Sequence, residues 1–538
     1  MTGKEIGKDK KKYREPKRIF ESSGFVNPEG AYHVRLDNVT NTYKQDIKTM
    51  IDLGRYFSMF APRQSGKTTF LDGIRKELQN DRTYVVIILS FETYKDLDKT
   101  QFYELIEEEL YTQLITRLKE VNCEKIEEVE QFLNSHHLTG HISFGKLFAE
   151  LNRIIVLKKI VILIDEFDGI PTNELANFLT ALRDLYQKYK GIKQKALYSI
   201  GLIGIRNVTK LVVGGVSPFN IADQVDLPPF SLKNVQDLYA QYSEETNQPV
   251  TEDAVKMIHE ETGGQPWLVN RLGTIKTIDI KPHTVEPIDE KDVERAIQLL
   301  LKEKNDHFDN LYEKAKQYKE TFVEIVFDHV EYNPDDEDQG WLEQYGLITN
   351  KDGHAVAANN IYKARYLKTF FKEMDAYEEI ALQGYVLPGN RLDIEKILLH
   401  FEHYIAQIGV NAFYREEKPY EKTGQFLLTA WLYQFVRGGE GELRYEVPTG
   451  FGRMDIILTY KGTKYIIETK INRYNLTRTL KDGIAQVSEK YLASESVDEG
   501  YLVIFDLKTP VGEECKPGHH PAGNKKVTSF TIGIGRPG

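Results

Sequence analysis

Two short stretches of this 538-residue chain place reactive side chains at spacings suited to chemistry. The first, residues 61–69, reads APRQSGKTT. The apolar run Tyr56–Phe60 leads in and the helical pattern FLDGIRKEL leads out, the strand–loop–helix context that a phosphate loop requires. Backbone N–H groups of Gln64, Ser65, Gly66, Lys67 and Thr68 would wrap phosphates at a helix N-terminus, with Thr69 beside them. Lys67 would reach the β and γ phosphates of ATP, and the Thr68 hydroxyl would hold Mg2+. Ala61 stands where such loops usually begin with glycine, which is tolerable if its φ stays negative. A second apolar run, Ile160–Ile164, ends in Asp165-Glu166. An acidic pair at the end of a buried strand is costly unless it is used. Asp165 is expected to take Mg2+ through water and Glu166 to activate the attacking water. The plainer alternative is that both acids cap the next helix. A third run, Ala196–Ile205, ends in Arg206-Asn207. Either residue could sense the γ-phosphate from a strand tip. Arg206 could instead act as a finger towards a neighbouring subunit of a homo-oligomer, or be an ordinary surface arginine.

The second stretch, residues 452–471, reads GRMDIILTYKGTKYIIETKI. Two β-type runs flank a turn at Lys461–Lys464. A loop centred on Gly462-Thr463 pairs Asp455 with Lys470, and one centred on Lys461-Gly462 pairs Asp455 with Glu468. Either two-residue loop places Asp455, Glu468 and Lys470 on one face, because strand side chains alternate with period two. Carboxylates meeting at one spot repel. A divalent cation with oxygen ligands, Mg2+ or Mn2+, resolves that repulsion. Such an ion acidifies bound water and stabilises charge on phosphorus, while Lys470 orients the nucleophile. This is the chemistry of phosphodiester hydrolysis. A surface hairpin with scattered charges is the bland reading.

The elements that must position these groups follow from the pattern. From about residue 45 to 230 the chain alternates β-type runs (Tyr84–Ser90, Lys159–Ile164) with helical stretches (Gln101–Val121, Asn173–Tyr189), which predicts a parallel α/β sheet in a core domain over 25–230. Residues 231–317 read as a helical lid. Residues 318–380 give a helix and then a hairpin with Asp352-Gly353 in its turn, the outline of a winged helix. A further α/β domain is expected over 390–510. The ends are charged: residues 1–24 form a basic arm, with net +5 in the first eighteen, expected to be solvated and mobile or else to contact nucleic acid, and residues 511–538 a poorly ordered tail rich in Gly and Pro. The formal net charge of −11 excludes a generally cationic surface, so any nucleic acid must be met locally. Two cysteines, Cys123 and Cys515, make no disulfide framework. No segment approaches the ~20 apolar residues of a membrane span, and no secretory signal opens the chain. A soluble, cytoplasmic protein without a membrane partner is expected.

Two resemblances add to this. APRQSGKTTFL, VILIDEFD, SPFNI (217–221) and TGGQPWLVNRL (262–272) together resemble bacterial AAA-like ATPases related to archaeal-type and STAND NTPases, over about residues 25–320. The Gly263-Gly264-Gln265-Pro266 turn matches the lid element of those proteins, and the resemblance implies Arg271 as a lid sensor. Residues 395–508 resemble a PD-(D/E)XK nuclease core, with Asp455 and Glu468-Thr469-Lys470 as motif residues. The order helix, strand, hairpin, helix, strand agrees. Gln486 matches a glutamine that some branches carry on the second helix, and Arg453 matches a GR-x-D variant. Glu421, or else Glu446, stands for the first-helix glutamate. The implied fold class is α/β: a P-loop NTPase sheet with helical lid and winged helix, then a restriction-endonuclease-like domain. Such fusions imply an ATP-dependent or ATP-gated, metal-dependent nuclease acting on DNA, in defence against foreign DNA or mobile elements. The rivals are a STAND-like switch whose last domain only binds, and a DNA-translocating motor.

Overall fold

A computed structural model describes residues 12–36, 38–155, 157–192, 195–205, 221–327, 330–373, 382–408, 414–415, 418–419, 421–433, 435–436, 441–449, 452–513 and 516–535. The chain forms two compact units, Met1–Phe322 with Tyr332–Arg365, and Val323–Glu331 with Tyr366–Gly538.

In the first unit, five described strands form a parallel sheet: β1 (Phe57–Phe60), β2 (Tyr84–Ser90), β3 (Lys159–Asp165), β4 (Leu197–Gly204) and β5 (Asp223–Asp226). Their order is β2-β3-β4-β1-β5. Parallel strands are covered on both faces, which is why β2 and β3 are continuous apolar runs. Ile160, Ile162 and Ile164 pack with Phe102, Ile106 and Leu110 of helix α2 (Lys99–Glu120). Val161 and Leu163 pack with Phe57, Met59 and, on helix α1 (Lys67–Gln79), Leu71. The order puts β4 between β1 and β3. The C-terminal ends of the three motif-bearing strands therefore converge at one edge, where open α/β sheets bind ligands.

The lid consists of helices α3 (Leu232–Thr246), α4 (Glu252–Thr262), α5 (Pro266–Thr274), α6 (Glu290–Leu300) and α7 (Asp306–Gln317). Ser231 caps α3 and Asp289 caps α6, as their positions before periodic runs predict. Next comes helix α8 (Glu337–Gln344). It is followed by the hairpin β6 (Ile348–Lys351) and β7 (His354–Ala357), whose turn residues Asp352 and Gly353 have φ of 53° and 84°. Two positive φ values are what a two-residue hairpin turn demands.

The basic arm departs from expectation. From Lys12 onward it is docked on the lid rather than free. Arg14 donates to the Asn247 side chain (3.1 Å), and Arg18 ion-pairs with Glu245 (3.2 Å). Phe20 is buried against Tyr32, Tyr239 and Tyr242. The reason is local charge: the arm meets the C-terminal end of α3, where Glu244 and Glu245 add to the negative end of the helix dipole.

The second unit holds helices α9 (Ile394–Ile408) and α10 (Glu421–Tyr433) and a mixed sheet. Its six described strands are β8 (Gly441–Thr449), β9 (Gly452–Tyr460), β10 (Thr463–Asn472), β11 (Glu499–Pro510), β12 (Gly518–Ala522) and β13 (Lys525–Gly535), in the order β8-β9-β10-β11-β13-β12. Helix α11 (Leu476–Ala485) joins β10 to its parallel neighbour β11 and runs on as a π-helical stretch, Gln486–Tyr491. The poorly ordered tail expected over 511–538 is thereby corrected. Val527, Phe530, Ile532 and Ile534 are buried, and β13 lies inside the sheet, parallel to β11. The Gly, Pro and Lys residues that suggest a tail belong to the β12–β13 hairpin, which turns at Gly523 with φ +65°.

Candidate functional site

The phosphate loop is set by two residues in left-handed backbone, Gln64 (φ 56°) and Gly66 (φ 89°), the latter capping α1. A Cβ at Gly66 would meet nothing within 4 Å, so the space over the loop is open. Lys67 is buried, and its Nζ donates to the carbonyls of Ala61 (3.0 Å) and Pro62 (2.8 Å). Burial lowers its pKa. The Thr68 hydroxyl donates to Asp165 Oδ2 at 2.8 Å, which joins the loop to the tip of β3. Ser65 Oγ donates to the Pro62 carbonyl (2.8 Å). Thr69 Oγ1 accepts from the Val26 N–H (3.1 Å), so it holds the entering segment across α1. Beside the loop lies a cavity of about 310 Å³, lined among others by Val26, Gly66, Phe70, Leu238 and Pro266. Its apolar walls and its place next to the phosphate cradle suit a nucleoside.

Glu166 sits at φ 48°, half-buried. Burial pushes its carboxyl up, with Lys67 opposing and Asp165 reinforcing the shift. Asp165 stays buried, and its Oδ1 accepts the Glu166 N–H (2.9 Å). The acids do not cap the next helix through their side chains; Pro171 precedes its first residue, Thr172. Asp168 accepts the Ile205 N–H at the tip of β4, a link that sequence reasoning missed.

The lid turn reaches the loop. Gly263 (φ 57°) and Gly264 (φ 72°) form it, and Gln265 Nε2 donates to the Gln64 carbonyl (3.2 Å). Gln344 Nε2 also donates to the Ile205 carbonyl (2.8 Å), and a Cβ on Gly346 would come within 2.7 Å of Pro62. Neither approach is foreshadowed in the sequence, because nothing local ties residues so far apart. Arg271, the residue the resemblance implies as a lid sensor, has a partner within the lid. It forms a forked ion pair with Glu303, Nη2 to Oε1 at 2.7 Å and Nε to Oε2 at 3.0 Å. Arg206 and Asn207 lie outside the described residues, as does most of SPFNI.

In the second unit, β9 and β10 pair Ile456 with Ile467 and Tyr460 with Thr463. The loop is therefore Lys461-Gly462, with φ of 45° and 84°, and continuing the register sets Asp455 opposite Glu468. Asp455 Oδ2 accepts both the N–H and the hydroxyl of Thr469, each at 2.7 Å. Glu468 is 1% exposed. Its Oε1 accepts from Lys470 Nζ (2.5 Å) and Gln486 Nε2 (2.6 Å), while its Oε2 is buried without a hydrogen-bond partner among the described residues. Burial, then the charge of Asp455, raises the Glu468 carboxyl to about 7. Gln486 begins the π-helical stretch, and this brings it to Tyr491, whose hydroxyl accepts from the same Nε2 (2.5 Å). Sequence spacing gives no hint of Tyr491: α-helical geometry does not put residues five apart on one face. The side chains of Glu421, Glu446 and Arg453 lie outside the described residues.

Two carboxylates with one orphaned buried oxygen fit a divalent cation. Among the described residues no group of three or more His, Cys, Asp or Glu side chains could hold a metal. An ion here would take its other ligands from water or backbone, as Mg2+ commonly does.

A family model described as AAA-like domain matches residues 23–369, and a domain of unknown function, DUF8371, matches residues 392–509. No curated protein matches the sequence. Among solved structures, the Walker-type ATPase of Pyrococcus abyssi is 13% identical, with 62% of this chain and 98% of that one covered, at a TM-score of 0.40. The Thermotoga maritima RuvB Holliday junction branch migration motor is 13% identical, covering 59% and 90%, at 0.31. The Aeropyrum pernix ORC1 protein, solved in complex with DNA, is 11% identical, covering 63% and 95%, at 0.29. The first family model takes in every element of the phosphate-loop site and more than half of the sequence, and the chain accordingly belongs to the AAA-like family of P-loop ATPases.

Proposed function

We propose that this ATPase is an ATP-gated, divalent-metal-dependent nuclease that hydrolyses phosphodiester bonds in DNA. The observation that carries the reading is the buried cluster of Asp455, Glu468, Lys470 and Gln486. An acid 1% exposed, facing a second acid and leaving one oxygen unpartnered, is destabilising as a purely structural feature. A bound Mg2+ or Mn2+ would supply the missing charge and a water acidified for attack. Asp455 and Glu468 would hold that ion. Thr469 fixes the orientation of Asp455, and Gln486 that of Glu468. Lys470 carries the positive charge that steadies the attacking oxygen.

In the ATPase unit, Lys67 would exchange the Ala61 and Pro62 carbonyls for ATP phosphates, and Thr68 and Asp165 would hold Mg2+ between them. Glu166 would draw the proton from the attacking water. Gln265 and Gly346, both against the loop, support coupling of nucleotide state to the lid and to the β6–β7 hairpin. That gating reaches the nuclease cluster rests on the resemblance to ATPase–nuclease fusions. Membership of a homo-oligomer belongs to the same reading.

The test is incubation of the purified full chain with plasmid and single-stranded DNA, with Mg2+ or Mn2+, with and without ATP. Lys67→Ala and Glu468→Ala run alongside. The expected result is cleavage that requires both the metal and ATP and is abolished by either substitution. Absence of cleavage under every condition would sink the nuclease, leaving an ATP-driven switch. Equal cleavage without ATP would remove the gating.

A further inference from the structure

Beyond the acid pair, β10 ends in a basic loop that carries an exposed aromatic ring. From Thr469 to Lys481 the chain carries four basic residues and no acid, within a protein of net charge −11. The loop is pinned on both sides. Asn472 is buried and donates to the buried Asp506 (2.7 Å), and the Asn475 side chain caps α11 by accepting the Arg478 N–H (3.1 Å). Between these anchors, Arg473 and Tyr474 are exposed. Tyr474 is 84% exposed, the most of any large hydrophobic side chain among the described residues. Lys508, at the end of neighbouring β11, donates to the Tyr474 carbonyl (2.8 Å), which brings its charge to the same loop. Arg478 and Lys481 follow on the exposed side of α11; Arg478 lies 3.6 Å from Asp482, itself exposed.

An exposed aromatic ring on a fixed loop among cations is the combination by which proteins hold unpaired nucleic acid. The ring stacks a base, and the cations follow the backbone. A duplex keeps its base faces covered and offers no such surface. Tyr474 is four residues from Lys470, at most about 14 Å along an extended chain.

We propose that this loop is a platform for single-stranded nucleic acid, with a base stacked on Tyr474 and phosphates met by Arg473, Lys508, Arg478 and Lys481, leading the strand to Lys470. The proposal rests on the nuclease reading for its choice of ligand. The substrate is then a single-stranded stretch or a frayed end rather than intact duplex.

Binding is measured without cleavage, by fluorescence anisotropy of the full chain in EDTA. The probes are a fluorescein-labelled oligothymidylate and a duplex of equal length. Tyr474→Ala is expected to weaken single-strand binding between about five- and a hundredfold, with Tyr474→Trp close to wild type and duplex binding unchanged. Arg473→Ala with Lys508→Ala should flatten the salt dependence, by roughly 0.7 in log–log slope for each phosphate no longer neutralised. ATPase activity of Tyr474→Ala, unchanged, serves as the folding control. Wild-type single-strand binding by Tyr474→Ala, or an equal loss on duplex, overturns the proposal. The two readings fail separately. Cleavage lost in Glu468→Ala but Tyr474-independent binding leaves the nuclease without this platform. Tyr474-dependent binding with no cleavage leaves the platform without the nuclease.

Discussion

Glu166 holds a left-handed backbone that costs a non-glycine residue on the order of 1 kcal/mol. The strain aims its carboxyl beside Lys67 instead of into a helix cap. If Glu166 draws the proton from water, Glu166→Gln should lower ATP hydrolysis about 10²- to 10⁴-fold while leaving ATP binding intact. Phosphate release and nucleotide titration check the two halves. His307 carries a different prediction. It stacks on Trp267 (4.1 Å between ring centres), its Nε2 shares a hydrogen bond with the Tyr362 hydroxyl (2.7 Å), and burial pushes its imidazole down to about 3. In the unfolded chain it titrates near 6.5. Between those values only the unfolded state binds the proton. The contribution is therefore whole above about pH 6.5 and is lost as pH falls, by about 1.4 kcal/mol per unit. Urea unfolding at pH 5 and pH 7 should show a steeper loss in the native chain than in His307→Phe. At this scale the sequence is most readable where chemistry is local. Lys67, Thr68 and Asp165 meet as their motif requires. Arg271 is not readable in this way, because its partner, Glu303, lies 32 positions on and nothing near either residue announces the pair.

Strand pairing decides whether the acids meet. The Lys461-Gly462 turn fixes a register in which Asp455 faces Glu468, and a slip of one residue would turn a whole strand's side chains over. Inserting one glycine after Gly462 should therefore abolish metal-dependent cleavage and leave ATP turnover unaltered; parallel assays of both activities check this. The even spacing of Glu468 and Lys470 in YIIETKI, with Asp455 at the start of DIILTY, makes that shared face legible, though not which of two loops closes it. The parallel strands β2 and β3 are legible for the opposite reason, as unbroken apolar runs need cover on both faces. Strands β12 and β13 are not. Their hairpin is short, and glycine, proline and lysine hide the buried positions of Val527, Phe530 and Ile532. The π-helical turn at Gln486 has no sequence signature to read.

For the whole molecule, the net charge of −11 argues against a generally cationic surface, with the N-terminal arm as the obvious exception. The described part of that arm is docked on the lid, where Arg18 pairs with Glu245, so it adds to the stability of the first unit. ATP should stabilise that unit too. At a hundredfold excess over Kd the gain is about 2.7 kcal/mol, seen as a raised melting temperature and absent in Lys67→Ala. No described helix is long and apolar enough to cross a membrane.

The strand order of the second sheet also sets a timetable. β13 lies between β11 and β12, yet it comes later in the chain than both. A ribosome that has finished β10, with Glu468 and Lys470, must add β11 and β12 before the strand that closes the sheet. At roughly 5–20 residues per second, that interval lasts on the order of several seconds. From the time β11 is made until β13 pairs with it, β11 presents an open edge, a hazard for pairing with other nascent chains. The ATPase strands β1 to β5 are already made by then. Synthesis thus delivers the nucleotide-binding half first and completes the sheet beneath the acid pair last.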